Sequence, residues 1–266
     1  MLLRELDYAR PGSVEDAVKL LAAREDARAL AGGQSLVNVM KTRVAAPELV
    51  VDLNGIDALR GVDDDGGALL IGAMTTYADI VGSPEVAAAR PILAEVARTI
   101  ADVQVRNRGT IGGNVCSNDP TNHFPPLLAA LGAEFTILGA GGERTVGADE
   151  FFEGVFQTAV HPGELLTKIE IPAKGDALDG WATVTLGTEG TGIVSVAACV
   201  SGGSARLAIG CVAATPVVVT ASADETAVKD AVRAADLDPP ADVHASADYR
   251  RHLAEVLAAR AVRDAQ

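Results

Sequence analysis

Residues 1–55 contain two kinds of apolar pattern: apolar residues at helical spacing, and short continuous apolar runs. Ser13 precedes apolar residues at helical spacing and has Asp16 three residues on, a pattern that favours a helix start. The pattern predicts helices over residues 13–24 and 35–41, and strands over residues 28–30 and 49–53. Residues 1–55 are therefore predicted to form a small α/β unit.

The middle of the chain combines hairpin signals with apolar helices. Asp63, Asp64 and Asp65 stand with two glycines between apolar runs, so we expect a hairpin whose turn the acidic residues solvate. Pro125 occupies the favoured first turn of a helix. The pattern predicts strands over residues 59–62, 68–71, 134–138, 143–146 and 167–171, and helices over residues 76–81, beside Pro91 and over 125–131.

Apolar content drops between residues 173 and 180, which indicates a domain boundary. Beyond it the pattern predicts strands over residues 181–186, 193–201 and 205–212, then helices over 223–235 and 247–264. A strand meander covered by helices is an α+β arrangement. We therefore expect a domain of residues 1–173, with parts at 1–55 and 56–173, and a smaller domain of residues 174–266.

Charge and composition narrow the classes of function. The 266 residues carry a formal net charge of −14, the 22 basic residues are scattered, and only 3% are aromatic. Nucleic acid and anionic membrane surfaces are therefore not expected as partners. No run approaches the roughly 18 apolar residues of a membrane span, and the first ten residues lack a signal-peptide pattern, so we expect a cytoplasmic protein.

Cysteine and histidine usage predicts no metal site within the chain. Cys116, Cys199 and Cys211 form no C-x-x-C pair, which argues against a disulfide framework and for a reducing compartment. Three cysteines also cannot supply the four thiolates of an iron–sulfur cluster. The histidines at positions 161, 244 and 252 are scattered without the spacing of metal ligands.

Two glycine pairs carry the candidate chemistry. Adjacent glycines let the backbone bend so that several N–H groups converge, which suits a phosphate or pyrophosphate. Neither stretch matches the dinucleotide G-x-G-x-x-G pattern or the P-loop, and a tight turn without ligand stays the alternative. The first stretch is Ala31, Gly32, Gly33, Gln34, Ser35 and Leu36, with Gln34 and Ser35 at a predicted helix N-terminus; the second is Thr110, Ile111, Gly112, Gly113 and Asn114.

With these two stretches the chain resembles the FAD-binding medium subunits of the molybdenum hydroxylases, the group that contains carbon monoxide dehydrogenase and xanthine dehydrogenase. The resemblance covers nearly the whole chain. It extends through Met40, Arg43, Pro120, Pro126, Leu127, Leu128, Phe151–Gly154, Gly163–Leu166, Ile169–Pro172 and Tyr249–Arg263.

The resemblance implies a fold and a set of cofactor contacts. The implied fold is a two-subdomain FAD-binding domain of the vanillyl-alcohol-oxidase (PCMH) type, followed by a smaller C-terminal α+β domain. Both glycine stretches would grip the FAD pyrophosphate, and Leu165 would pack near the flavin ring. Cys116 lies two residues past Asn114 in the same neighbourhood. It could tune the flavin or serve only as a small buried apolar residue, and the two interpretations are equally good.

The resemblance also implies a division of labour among subunits. A molybdopterin-binding large subunit oxidises the substrate, a small subunit with two [2Fe–2S] clusters relays electrons, and the FAD of this chain passes them to NAD, a quinone or oxygen. Two such heterotrimers can pair into a dimer. No residue of this chain is then expected to act as an acid or base on the organic substrate.

Two departures from the family pattern keep alternatives open. His123 stands where the family usually has an aspartate that contacts the cofactor, and an imidazole cannot accept hydrogen bonds as a carboxylate does. The segment Thr185–Ile193 lacks the usual basic residues and aromatic residue. The alternatives are a stand-alone FAD-dependent oxidoreductase that acts directly on a small molecule, and an assembly scaffold that has lost FAD.

Overall fold

The computed structural model describes residues 3–187 and 190–265 of the chain. The first region contains β1 (Asp7–Ala9), α1 (Val14–Ala22), β2 (Arg28–Leu30), α2 (Leu36–Lys41) and β3 (Leu49–Asp52). The three strands form a parallel sheet in the order β1-β3-β2. Central β3 is buried along its whole length, as expected for a strand with neighbours on both sides. Ser13 caps α1 by accepting the Asp16 N–H at 3.1 Å.

Two short 3₁₀ turns, Leu53–Gly55 and Asp57–Leu59, lead into the second region. Its elements are β4 (Val62–Asp65), β5 (Ala68–Gly72), α3 (Tyr77–Gly82), α4 (Pro84–Ala89), α5 (Ile92–Thr99), α6 (Val103–Arg106), α7 (Ile111–Ser117), α8 (Phe124–Leu131), β6 (Glu134–Gly139), β7 (Gly142–Gly147), α9 (Ala148–Phe151), β8 (Phe152–Gly154), β9 (Gln157–Thr158) and β10 (Leu165–Ile171). An antiparallel five-stranded sheet has the order β4-β5-β10-β6-β7, while β8 pairs with β9. The helices share one large apolar core with this sheet, and α8 is buried along its full length.

The third region is a strand meander with two helices. It contains β11 (Leu178–Leu186), β12 (Thr191–Ser201), β13 (Ser204–Gly210), β14 (Val217–Ser222), α10 (Glu225–Ala234) and α11 (Ala247–Arg263). The strands pair in chain order, and both helices share a core with the sheet. Ala197 and Ala208 belong instead to the large core of the second region. The sheet therefore contacts its own helices and also the second region.

Polar contacts also join the second and third regions. Arg90 forms a buried ion pair with Asp179, with its Nε 2.8 Å from the carboxylate. Arg206 donates to the carbonyl of Ala129 in α8 at 3.1 Å. A buried charge pair keeps its partners in place, since loss of either one leaves the other charge desolvated and unpaired.

The predicted α+β class is confirmed, but the acidic hairpin is built differently from the prediction. Asp63, Asp64 and Asp65 lie in strand β4, and the turn consists of Gly66 and Gly67 alone. These glycines have φ values of 64° and 94°, the positive φ values that a two-residue hairpin turn requires, and the Asp64 carboxylate accepts the Gly67 N–H at 2.6 Å. The acidic side chains are therefore exposed on a strand.

Two other differences concern the second glycine stretch and the short strands. Gly112 and Gly113 lie in the first turn of α7, so the predicted bend is wrong there. The sequence pattern also does not predict β1 or β14. Both lie at a sheet edge, and none of their residues is buried. Strand β1 has only three residues, whereas β14 begins with Val217, Val218 and Val219, a β-branched run that is itself typical of a strand. Among the described residues, no helix combines the length and the apolar character needed to cross a membrane.

Candidate cofactor-binding site

The first glycine stretch forms a loop that leads directly from β2 into α2. Gly33 has a φ of 75°, a conformation that glycine adopts without strain. The N–H groups from Gly32 to Leu36 have no hydrogen-bond acceptor among the described residues, and Ser35 makes no side-chain cap. The positive end of the α2 dipole adds to this row of donors. The loop therefore has five consecutive backbone donors without an acceptor among the described residues, groups that an anion such as phosphate can use.

The side chain of Gln34 is held within the same loop. Its Nε2 donates to the Gly32 carbonyl at 3.2 Å. Asn38, one turn further along α2, donates to the Gln34 carbonyl at 2.7 Å. Both side chains bond carbonyl groups, which leaves the backbone N–H groups available.

The second stretch has a different construction from the predicted open turn. Thr110 caps α7 by accepting the N–H of Gly113. All N–H groups from Ile111 to Asn114 are satisfied within the protein, so this stretch does not provide the predicted row of free donors. In residue order the four acceptors are Thr75 O, Ala73 O, Thr110 Oγ1 and Thr110 O, at 2.9–3.0 Å.

Close approach explains the glycine at position 112. A β-carbon on Gly112 would lie 2.5 Å from the Ala73 carbonyl oxygen and 2.7 Å from the Ala73 β-carbon. Any side chain would therefore push α7 away from the strand end that it contacts. The glycine serves packing here, whereas Gly33 serves the loop conformation.

The structure brings the two stretches together. A β-carbon on Gly32 would lie 2.0 Å from the Arg108 carbonyl oxygen and 2.9 Å from Gly109 Cα. A β-carbon on Gly113 would lie 3.6 Å from that of Ala31. The start of α2 and the start of α7 are thus neighbours, although they belong to different regions of the fold and lie far apart in sequence.

Leu165 and Cys116 lie in the apolar surroundings of this junction. Leu165, the first residue of β10, is buried in the core of the first region, against which Ala31 also packs. Cys116, on α7, is half-buried and packs against the large core of the second region. Burial raises the pKa of the Cys116 thiol to about 12, so the side chain is neutral near pH 7. Its environment fits a small apolar residue.

His123 is buried against the third region. It is 3% exposed and lies at the start of α8. Its ring stands edge-on to Trp181, with centroids 5.4 Å apart, and a β-carbon on Gly192 would lie 3.3 Å from the imidazole Cε1. Neither ring nitrogen has a hydrogen bond of good geometry among the described residues. His123 is therefore a buried side chain, not a surface histidine.

Burial also sets the charge of His123. Desolvation lowers the pKa of the imidazole, and the backbone of Gly190 beside the ring opposes that shift only in part. The ring is therefore neutral near pH 7. Of the segment Thr185–Ile193, the first two residues end β11 and the last three begin β12, and Thr188 and Glu189 lie outside the described residues.

Sequence reasoning missed a group of polar side chains that contacts the start of the Gly32–Leu36 loop at the Ala31 carbonyl. Asn54 donates from Nδ2 to the Ala31 carbonyl at 3.0 Å and to Asp52 at 2.6 Å. Arg60 donates to Asn54 Oδ1 at 3.2 Å. Tyr8 also donates to Asp52. The one available signal is the Asp-x-Asn spacing just after a buried strand, which is typical of a polar turn.

The charge balance of the junction fits a diphosphate ligand. The chain carries a net charge of −14, so its overall field repels an anion. Five unpaired backbone donors and the N-terminus of α2 supply attraction where the field does not. A phosphate group accepts several such hydrogen bonds at once.

Two known protein families match the chain. A family described as "FAD binding domain in molybdopterin dehydrogenase" matches residues 4–174. A second, described as "CO dehydrogenase flavoprotein C-terminal domain", matches residues 179–265.

Individual relatives match over the full length. The carbon monoxide dehydrogenase medium chain of Afipia carboxidovorans is 41% identical, with 100% of this chain and 98% of that protein covered. The glyceraldehyde dehydrogenase medium chain of Sulfolobus acidocaldarius is 35% identical, with 98% of each covered. Among solved structures, reconstituted CO dehydrogenase from Oligotropha carboxidovorans superposes with a TM-score of 0.94 at 39% identity, covering 100% of this chain and 99% of that chain.

Proposed function

Since the chain belongs to the family of FAD-binding subunits of molybdopterin dehydrogenases, we propose that it carries electrons within a multi-subunit dehydrogenase. FAD is its cofactor, and it is a subunit of an FAD-dependent oxidoreductase complex. In the proposed route, electrons leave the [2Fe–2S] clusters of a small partner subunit, enter the FAD of this chain and leave to an external acceptor. A molybdopterin-binding large subunit would oxidise the substrate.

One observation carries the assignment of the site. The five unpaired donors of Gly32–Leu36 lie where the start of α7 meets Ala31. The FAD pyrophosphate would accept from these donors, and Thr110–Asn114 would form the opposite wall. Leu165, Cys116 and His123 belong to the proposal through the family resemblance.

The proposed role assigns electron chemistry to the cofactor and binding to the chain. Bound FAD accepts and releases electrons. The backbone donors hold its diphosphate, the dipole of α2 offsets the negative charge, and the packed cores on either side fix the two walls. The loop and its opposite wall bind and orient the cofactor, and no residue of either is assigned to proton transfer on the organic substrate.

The domain division is part of the same proposal. We place the boundary at residues 173–174, after β10 and before β11. The two family matches end at residue 174 and begin at residue 179, which supports this position. The pairing of β1, β2 and β3 into a separate sheet supports a further division near residue 55.

Purification with bound partners tests the proposed function. We expect a yellow preparation that contains FAD and two further chains, one with molybdenum and one with iron. Carbon monoxide and glyceraldehyde, named in the relatives, are the first substrates to test. Substrate should bleach the flavin absorbance only when all three chains are present. Bleaching by a small molecule in the isolated chain would favour the stand-alone oxidoreductase instead.

A further inference from the structure

The polar side chains behind the donor loop connect it to the region that carries α7. We infer that Asn54 is a positioning residue, which holds the Gly32–Leu36 loop in the orientation that binds the FAD diphosphate. This inference rests on the proposed function of that loop. Its geometric basis is that one side-chain amide bonds the Ala31 carbonyl on one side and Arg60 on the other.

The orientation of the Asn54 amide follows from its partners. Its nitrogen donates to the Ala31 carbonyl and to Asp52 Oδ1, so both of its hydrogens are used. Its oxygen faces the Arg60 guanidinium at 3.2 Å. A flipped amide would place its oxygen against a carbonyl and a carboxylate, and its hydrogens against a cation. The contacts therefore allow one orientation only.

Asp52 holds Asn54 in place through two hydrogen bonds. The residue is 7% exposed, and its carboxylate accepts from both the backbone N–H of Asn54 at 2.9 Å and the Asn54 amide. Tyr8 donates to the other carboxylate oxygen, and Arg10 lies 3.9 Å from it. A side chain held at this many points loses little freedom when the ligand binds.

Arg60 extends the connection toward α7. It donates to the Met74 carbonyl at 3.3 Å. The next residue, Thr75, exchanges hydrogen bonds with Gly61 at 2.9 and 3.0 Å, and its carbonyl accepts the Ile111 N–H at 3.0 Å. A chain of hydrogen bonds, with one peptide link between Met74 and Thr75, thus connects Ala31 beside the donors to Ile111, the first residue of α7. The path crosses from the parallel sheet to the antiparallel region.

Position 54 requires a side chain that donates to the Ala31 carbonyl and accepts from Arg60. An ionised aspartate at position 54 would still accept from Arg60, but it would present a negative oxygen to the Ala31 carbonyl and to Asp52. The loop would be pushed from its position, and the backbone donors would no longer converge. We expect the FAD dissociation constant of N54D to rise about 10-fold at pH 7.5.

Titration of the FAD-free full-length chain with FAD tests the inference, with quenching of flavin fluorescence as the readout. The matched control is N107D, because the exposed Asn107 amide also donates one bond to a backbone carbonyl, that of Val103 at 2.7 Å, without crossing between regions. We expect N107D to bind FAD as the wild type does.

A pH series separates positioning from general destabilisation. A protonated carboxyl group at position 54 can donate to the Ala31 carbonyl, and the neighbouring Asp52 favours protonation. The ratio of the N54D dissociation constant to that of the wild type should therefore fall toward one between pH 7.5 and pH 5. A merely destabilised variant would show no such recovery.

The outcomes are distinct. Equal FAD affinity of N54D and the wild type, equal losses in N54D and N107D, or a ratio that does not change with pH would each overturn the inference. If N54D does not fold, R60Q replaces it, and wild-type affinity in R60Q would overturn the inference as well. A wild-type chain without affinity for FAD would instead overturn the proposed function of the loop.

Discussion

The two glycine pairs look alike in sequence but do different work in the structure. In the first pair, Gly33 has a positive φ, and the surrounding N–H groups have no acceptor among the described residues. In the second, Gly112 is helical, and every N–H from Ile111 to Asn114 is satisfied. The comparison teaches that both pairs contain a glycine required for close packing, Gly32 and Gly112, whereas only the first pair leaves backbone donors unpaired. The two pairs are distinguished by whether their backbone N–H groups have hydrogen-bond acceptors in the fold.

The largest expected effect is at Gly32, where the pairs meet. In G32A, the new β-carbon would lie 2.0 Å from the Arg108 carbonyl oxygen, so the two stretches must separate. We expect FAD affinity to fall about 100-fold, because rigid backbone must move before the donors and α7 can face one ligand. Equilibrium titration with FAD measures it.

Gly82 provides the control for this substitution. It ends α3, and a β-carbon there meets nothing within 4 Å. G82A should bind FAD as the wild type does. Wild-type affinity in G32A would show that the contact between the stretches does not matter for the cofactor.

The second effect is loss of stability at Gly112. G112A places a β-carbon 2.5 Å from the Ala73 carbonyl oxygen, so α7 must shift even without cofactor. We expect the free energy of unfolding of the FAD-free chain to fall by about 1–3 kcal/mol. Urea unfolding of the FAD-free chain measures this, with G147A as the control in open space. An unchanged unfolding midpoint would contradict the packing role.

The hydroxyl residues at the two helix starts allow a sharper comparison. Thr110 caps α7, whereas Ser35 makes no cap hydrogen bond at α2. T110A should cost about 1 kcal/mol of unfolding free energy, since the Gly113 N–H loses its acceptor. S35A should change it by less than about 0.5 kcal/mol. Equal costs in urea unfolding would mean that the two helix starts are built alike.

The smallest effect is a pH dependence from His123, which is buried against Trp181 of the third region. Its pKa in the folded chain is lowered by burial, so the unfolded chain binds the proton more tightly. The folded chain is therefore destabilised by protonation of this ring. This destabilisation is absent above the pKa of the unfolded state, about 6.5, and grows as the pH falls below it. The slope from this one group cannot exceed about 1.4 kcal/mol per pH unit.

Urea unfolding between pH 7.5 and pH 5.5 tests this, with H123L as the comparison. The variant should lose less stability over that interval than the wild type. The same loss in both proteins would show that His123 does not carry the effect.

Local signals predicted much of the fold. Helix α1 begins with the predicted Ser13 cap, and the β6–β7 hairpin appears where its flanking runs and glycines indicated. The acidic residues 63–65 were misplaced because two positive-φ glycines form the turn itself, and Asp64 contributes to it from strand β4 by accepting the Gly67 N–H at 2.6 Å. Edge strand β14 was missed although Val217, Val218 and Val219 form a β-branched run typical of a strand, so the sequence did carry a signal for it.

The candidate site was predictable in part for the same reason. The Ala31–Leu36 loop could be identified because a strand, a glycine pair and a helix start follow one another directly in sequence. The helical state of Gly112 depends on its approach to Ala73, and the role of Asn54 depends on Ala31, which lies 23 residues away. Contacts between residues far apart in the chain leave no periodic pattern for sequence reasoning to detect.

Amide hydrogen exchange, followed residue by residue by NMR with and without FAD, tests the central claim most directly. We predict that the amides of Gly32–Leu36 exchange rapidly in the FAD-free chain and become protected when FAD binds, because the diphosphate supplies their missing acceptor. Those of Ile111–Asn114 should be protected in both states. Unchanged exchange at Gly32–Leu36 on FAD binding would contradict the claim that this loop holds the cofactor.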